Sequence, residues 1–433
     1  MAEKTIHIPY GKGEATLTLP QERIGSILVP RHHAALSIDD AVTACLRHPT
    51  ASPPLREMVK KGASVVIVTA DITRAWNHSR DFMRPLINEL NEAGIPDEDI
   101  SIVFAQGTHR AQTPDEDIAV VGEEVARRIR LYQHDCHDRE NLVLVGTTSH
   151  GTPVELNRRV VEADFVIVAG GIMPHLFAGF GGGRKMILPG VASWETIQKN
   201  HALALSDTPG EGINPLTEGR SLTHNPVHQD MLEGMEFCRP DFLLHSLINE
   251  RGEVCGFVSG DPYEAWLEGT QEVLSNDAVS FTQKADLTIA GAGGYPKDLS
   301  LYQGCKCYEP ARDVTKKGGI IIALIESPDI KEPQIFWDSF RYNSRLSMEK
   351  ALRQHFTIPF FVAYFLYTLA EDYTLYLVTR KENFEAVRRI HQIPTRTLEE
   401  AYEKAKAQLL SEGKTDFTVN IIPNCGTVIP LER

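Results

Sequence analysis

The sequence predicts an α/β protein of two domains, each a layered, mostly parallel sheet flanked by helices. The chain has 433 residues, more than one hydrophobic core usually organises. Near-continuous apolar runs such as Ala63–Ala70 (ASVVIVTA) alternate with helical stretches, the pattern of parallel strands covered on both faces. That rhythm breaks off and restarts near Ala285. A division at residues 1–272 and 273–433 follows, with the last strand free to return to the first domain.

Residues 5–19 alternate apolar and polar around Gly11-Lys12-Gly13, a hairpin signal. Ser37 to Leu46 reads as a helix with Ser37 or Asp39 as its cap. The strand Ala63–Ala70 leads into Asp71-Ile72-Thr73-Arg74 and a helix through Ala93. A second strand, Ile100–Ala105, leads into Gln106-Gly107-Thr108-His109-Arg110. Further strands are expected at Leu142–Val145 and Phe165–Ala169. A loop rich in Gly, Pro and Asn spans Asp207–Pro226, and Phe242–Ile248 with Val254–Val258 read as a hairpin. In the second half, strands are expected at Ala285–Gly294, Gly319–Ile325, Tyr373–Val378 and Phe417–Ile422.

Composition excludes some functions. A formal net charge of −14 argues against general nucleic-acid binding. No segment has the uninterrupted apolar length of a membrane span, and the first 20 residues carry no apolar signal core. Seven scattered cysteines fit a reducing compartment. A cytoplasmic protein is expected.

Chemistry-bearing residues gather after strand ends, where open α/β sheets bind ligands. The stretch Gly170–His201 holds His175, a glycine run (Gly179, Gly181, Gly182, Gly183), Arg184-Lys185 and His201. His109 and His175 are of a type that takes and returns protons near neutral pH. Asp71 reads equally as a site residue or a helix cap, and Arg74 as a carboxylate clamp or an exposed side chain. A Walker loop wants Gly-Lys-Ser/Thr where this chain has Arg184, Lys185 and Met186, and the glycine spacing fits no dinucleotide fingerprint. Lys185 is either a covalent attachment point or a simple anion contact. Cys305-x-Cys307 lacks a second pair for zinc. His224 and His228 flank Pro226, which reads as loop. Gln303 and Lys306 share a face of a presumed helix.

Taken together and in order, these motifs resemble the nickel-dependent lactate racemase family. The match rests on Asp71-x-Thr73-Arg74, GTHR with His109, and Pro174-His175 with AGFGGGRK ending at Lys185. It continues through His201, GGYPKD at Gly293–Asp298 and Tyr302-Gln303-x-x-Lys306. The resemblance implies an active site between the two domains. It implies a nickel pincer nucleotide, pyridinium-3,5-bisthiocarboxylic acid mononucleotide, attached covalently at Lys185, with His201 as the protein's nickel ligand. By the same resemblance His109 and His175 are the acid/base pair and Arg74 holds the substrate carboxylate. Asp71, Thr73, Tyr302, Gln303 and Lys306 line the cofactor, and Gln303 and Lys306 also the substrate. The implied reaction interconverts the enantiomers of a 2-hydroxy acid. One histidine removes the hydroxyl proton while the α-hydrogen moves as hydride to the cofactor, and both return on the other face. Enzymes that build the cofactor are implied partners.

The chain departs from the family after Arg74, where Ala75-Trp76-Asn77-His78 puts a large ring and a further donor near the expected substrate pocket. Arg184 stands where a small residue is common, and Trp337 is the only late tryptophan. The identity of the hydroxy acid is therefore open. Two other functions fit the same residues: a zinc-dependent hydrolase or isomerase using His109, His175 and His201, and a non-catalytic binder of an anionic metabolite.

Overall fold

The structure, a computed structural model, describes residues 2–218 and 220–432. The chain forms two compact units, His32–Asp207 with Ile213–Asn276, and Met1–Arg31 with Thr208–Gly212 and Asp277–Arg433.

The unit containing His32 is built on a six-stranded sheet. Its order is Val254–Gly260, Phe242–Ile248, Phe165–Gly171, Val65–Ala70, Ile100–Ala105, Arg130–Gln133. All neighbours are parallel except the hairpin edge Val254–Gly260. The central strand Val65–Ala70 is buried at every position, which is why it reads as a continuous apolar run rather than an alternating one. From it the chain moves outward through Ile100–Ala105 to Arg130–Gln133, then returns to add Phe165–Gly171 on the opposite side. The carboxyl ends of Val65–Ala70 and Phe165–Gly171 therefore flank a topological switch point, the crevice where such sheets take ligands. Asp71 and Arg74 follow one strand and His175 follows the other.

The second unit repeats that logic with a fully parallel sheet. Its order is Ile393–Thr395, Thr374–Val378, Thr315–Leu324, Ala285–Gly291, Val419–Ile422, Ile24–Ile27. The hairpin Glu3–Tyr10/Gly13–Pro20 lays Ile6, Ile8, Leu17 and Leu19 into the same core as Leu287, Ile289 and Ile421.

Three expectations are corrected. The first 31 residues belong with the later sheet and not with residues 32–272, because Ile24–Ile27 pairs with Val419–Ile422. The final strand, Ile429–Glu432, stays in the later unit against Ala278–Phe281. Leu142–Thr147 forms a separate hairpin with Pro153–Asn157 instead of joining the parallel sheet. Among the described residues no helix is long and apolar enough to cross a membrane.

Ile67 sits fully buried in register between Ile102 and Ile167 at the middle of the first sheet. Ile67→Ala removes that packing and leaves a cavity, so urea unfolding is expected to show a loss of about 2–5 kcal/mol.

Candidate active site

Asp71 ends the central strand and caps the short helical turn Ile72–Asn77, where its Oδ1 accepts from the Thr73 amide at 3.1 Å and from Thr73 Oγ1 at 2.5 Å. Its Oδ2 meets His109 Nδ1 at 2.5 Å. His109 arrives on the turn after Ile100–Ala105, where Gly107, at φ +55°, lets the chain reverse and donate to the Gly190 carbonyl. Burial pushes the Asp71 carboxyl up. The His109 hydrogen bond and charge outweigh it, with Thr73 and Arg74 adding to them, so the group is held below its usual range. A carboxylate on Nδ1 fixes the ring with its proton there and turns Nε2 outward as a base. Asp71 is thus both the cap and the group that orients His109. Arg74 rests Nη1 on Thr73 Oγ1 at 3.1 Å.

His175 stands on the two-residue pairing of Pro174–His175 with Gly179–Phe180. Its Nδ1 accepts from the amides of Ala178 at 3.3 Å and Phe177 at 3.5 Å, so that nitrogen carries no proton. The ring proton is on Nε2, which lies 3.0 Å from Lys185 Nζ. An N–H there needs an acceptor, and an ammonium has none to offer. The contact favours a neutral Lys185 amine. Electrostatics agree: burial, then the charges of Arg184 and Arg74, hold Lys185 well below the usual lysine value. Burial, with Lys185, His201, Arg74 and Arg184, does the same to His175. Arg74 therefore acts on the groups of both strand ends, which belong to one site.

The glycine run is tightly packed. A Cβ on Gly182 would lie 2.6 Å from the His245 ring, and one on Gly183 2.6 Å from Trp266. Both residues also have positive φ, so only glycine fits. His245 Nδ1 donates to the Leu244 carbonyl at 2.7 Å, and Nε2 accepts from the Gly183 amide at 2.7 Å. Burial lowers this ring to about 4, against the opposing Leu244 bond, so it is a fixed neutral strut. Trp266 Nε1 donates to the Gly181 carbonyl. Arg184 does not face a ligand. It is buried, stacks 4.0 Å over the Trp266 ring and donates to the carbonyls of Phe180 and Ala178. Burial brings it down to about 9.

His201 lies near the end of the helix Trp194–Ala202, 1 % exposed, with Nδ1 3.1 Å from Asn200 Oδ1. Phe177 joins it to His175: its ring centroid is 4.7 Å from His175 and 5.2 Å from His201, both edge-on. The remaining candidates lie in the other unit. Tyr302 and Gln303 are on the helix Leu301–Gly304, capped by Ser300, and Lys306 Nζ donates to Gln303 Oε1 at 3.0 Å.

Several expectations change. His78 is a structural tie, bonded to Asp81 at 2.9 Å and to the Gly252 carbonyl at 2.8 Å, and is not a pocket donor. Trp76 packs its ring against Gly171. Trp337 donates its indole proton to the Ile330 carbonyl and packs on Phe336, whose ring also touches Tyr302. Pro226 does not break structure between His224 and His228; it opens the helix Pro226–Glu236 with Asn225 as cap. His245, Trp266 and Phe177 had no motif to mark them. Among the described residues no group of three His, Cys, Asp or Glu side chains lies close enough to hold a metal, so the zinc alternative lacks its ligand set.

Residues 10–212 match the lactate racemase N-terminal domain and residues 281–429 the lactate racemase C-terminal domain. The lactate racemase of Thermoanaerobacterium thermosaccharolyticum is 31 % identical over 99 % of this chain and 99 % of its own. The chain belongs to the lactate racemase family. It is by that membership an isomerase. The lactate racemase of Lactiplantibacillus plantarum is 29 % identical over 97 % of this chain and 98 % of its own. The lactate racemase apoprotein structure from T. thermosaccharolyticum superposes with a TM-score of 0.88 at 30 % identity, covering 99 % of this chain and 100 % of that one. A Thermotoga maritima protein shares the fold at a TM-score of 0.65 and 19 % identity, over 93 % of this chain and 100 % of that one.

The lowered pKa of Lys185 has a direct consequence. An acylating reagent applied to the unmodified chain is expected to label Lys185 at a rate that levels off at lower pH than for the other lysines, since an ordinary lysine gains about tenfold per pH unit below its pKa. Peptide mass spectrometry reads both. A Lys185 rate that rises with the others would show a protonated ammonium.

Proposed function

We propose that the chain racemises a small 2-hydroxy acid, lactate or a close analogue, with a nickel pincer nucleotide attached at Lys185. His201 is assigned as the nickel ligand and His109 and His175 as the acid/base pair. The observation that carries the reading is the buried Lys185 amine, 3.0 Å from His175 Nε2 and held well below the usual lysine value, since only an unprotonated lysine can form a covalent bond to an acyl or thioacyl carbon. The donor set fits the group. His201 offers one imidazole, a donor nickel accepts, to a metal whose other donors belong to its own organic ligand. When bound, the nucleotide supplies an acceptor for the hydrogen that leaves the substrate carbon with its electron pair.

The chain's own residues do the rest. Arg74 offers its planar guanidinium to the substrate carboxylate. His109, oriented by Asp71, takes the hydroxyl proton of one enantiomer through Nε2. His175 is assigned to the other enantiomer. In the unmodified chain its Nε2–H is tied to Lys185. An acylated lysine nitrogen no longer accepts, so attachment at Lys185 releases His175 for proton transfer. Tyr302, Gln303, Lys306 and Thr73 we assign to cofactor and substrate. Cofactor-building enzymes are the expected partners, and the scattered cysteines support a cytoplasmic location. Trp76, packed at the strand end before His175, is the residue we assign to substrate selection.

The test uses the chain made in cells supplied with nickel and the cofactor-building enzymes. Chiral chromatography should show interconversion of D- and L-lactate or another 2-hydroxy acid, and intact mass should show the adduct on Lys185. His109→Ala and His175→Ala are each expected to lower kcat by about 10²–10⁴-fold with the adduct still present. An unmodified Lys185 in the wild type, or undiminished turnover in both variants, would sink the reading.

A further inference from the structure

His201 is held by a buried polar chain that the acid/base chemistry does not use. Asn200 precedes it on the same helix and is fully buried. Its Nδ2 donates to Asp230 Oδ2 at 2.8 Å and to the Val227 carbonyl at 3.2 Å. Both partners are acceptors only, so the amide has one possible orientation: reversed, it would set its oxygen against two oxygens. Asn200 Oδ1 therefore faces His201 Nδ1, and at 3.1 Å it is an acceptor. The imidazole must answer with a proton on Nδ1.

Asp230 anchors the arrangement. It lies on the helix Pro226–Glu236 at 0 % exposure. Its Oδ1 accepts from Thr148 Oγ1 and its Oδ2 from Thr152 Oγ1 at 3.0 Å as well as from Asn200. Thr148 and Thr152 are themselves locked across their turn, Thr148 N donating to the Thr152 carbonyl and Thr152 N to Thr148 Oγ1. Every donor on this carboxylate is neutral. Burying a carboxylate on hydroxyls and an amide is costly where an apolar side chain would pack. What the arrangement achieves is direction, because a carboxylate accepts and never donates.

We propose that Asp230 and Asn200 are positioning residues that fix His201 in the Nδ1–H tautomer and so present Nε2, without its proton, to the metal. Ligating histidines are commonly set by a partner on the second ring nitrogen; here the carboxylate acts one residue removed, through an amide. This rests on the assignment of His201 as the metal ligand, but the tautomer itself does not.

The test reads tautomer and metal separately. Side-chain nitrogen NMR of the full-length wild type, with His201 assigned by the signal lost in His201→Ala, should show the proton on Nδ1. A proton on Nε2 would overturn the proposal without any other variant. In Asn200→Leu, which keeps the bulk and removes both amide atoms, His201 should become a mixture of tautomers. The resistance of the bound nickel to a competing chelator, followed by atomic emission against intact mass, should fall about 10–100-fold. Asp230→Asn, which keeps shape and can still accept, should show a smaller loss. Resistance to the chelator unchanged in Asn200→Leu would overturn the proposal. Failure of the cofactor reading looks different: Lys185 unmodified in the wild type while the Nδ1–H tautomer is still observed.

Discussion

The backbone at Gly182 and Gly183 approaches His245 and Trp266 more closely than any side chain would permit, and the site depends on that contact. With Gly182 and Gly183 pressed against those rings, Arg184 turns inward to stack on Trp266 and hold the carbonyls of Phe180 and Ala178. The same turn points Lys185 the other way, toward His175. A guanidinium kept out of water next to Lys185 raises the cost of a second positive charge there. The loop thus sets both the place and the protonation state of the amine, through packing rather than through a base assigned to the task.

The two candidate acid/base histidines reach the site by different physics. His109 is positioned by a carboxylate that holds its Nδ1 proton. His175 is positioned by backbone amides that forbid a proton on the same atom. The second ring, in dry surroundings beside Lys185 and Arg184, is discouraged from becoming a cation. The difference lies in the residues that touch Nδ1, which simple spacing between histidines does not reveal.

How much of this was legible in the sequence follows from locality. Val65–Ala70, Ile100–Ala105 and Phe165–Gly171 announce themselves because strands buried on both faces are apolar throughout, and the residues after them were readable for the same reason. The division of the chain was harder. Ile24–Ile27 is four residues long and only half-buried, and its partner, Val419–Ile422, lies nearly four hundred residues away. Nothing local marks such a pairing. His245 and Trp266 were hidden likewise: each sits in an ordinary apolar element, and their effect on the glycine loop exists only once the chain has folded back. Arg184 read as a departure from a family pattern, and its burial supplies the physical reason.

Each unit sets a buried strand, Val65–Ala70 or Ala285–Gly291, in the middle of its sheet with a later strand on its far side, yet the candidate acid/base histidines follow strand ends of the first unit. In the first, the strand ends deliver Asp71, His109 and His175, all able to carry or direct a proton. In the second, the corresponding turn after Ala285–Gly291 delivers Gly293, Gly294, Lys297 and Asp298, with Asp298 spent on the Gly11 amide at 2.7 Å. A buried carboxylate committed to a backbone donor holds the hairpin of residues 3–20 to its sheet and has no ring to direct. The contrast between Asp71 and Asp298 is one of partner. The same residue type orients a ring where a histidine meets it and ties main chain where a backbone amide does.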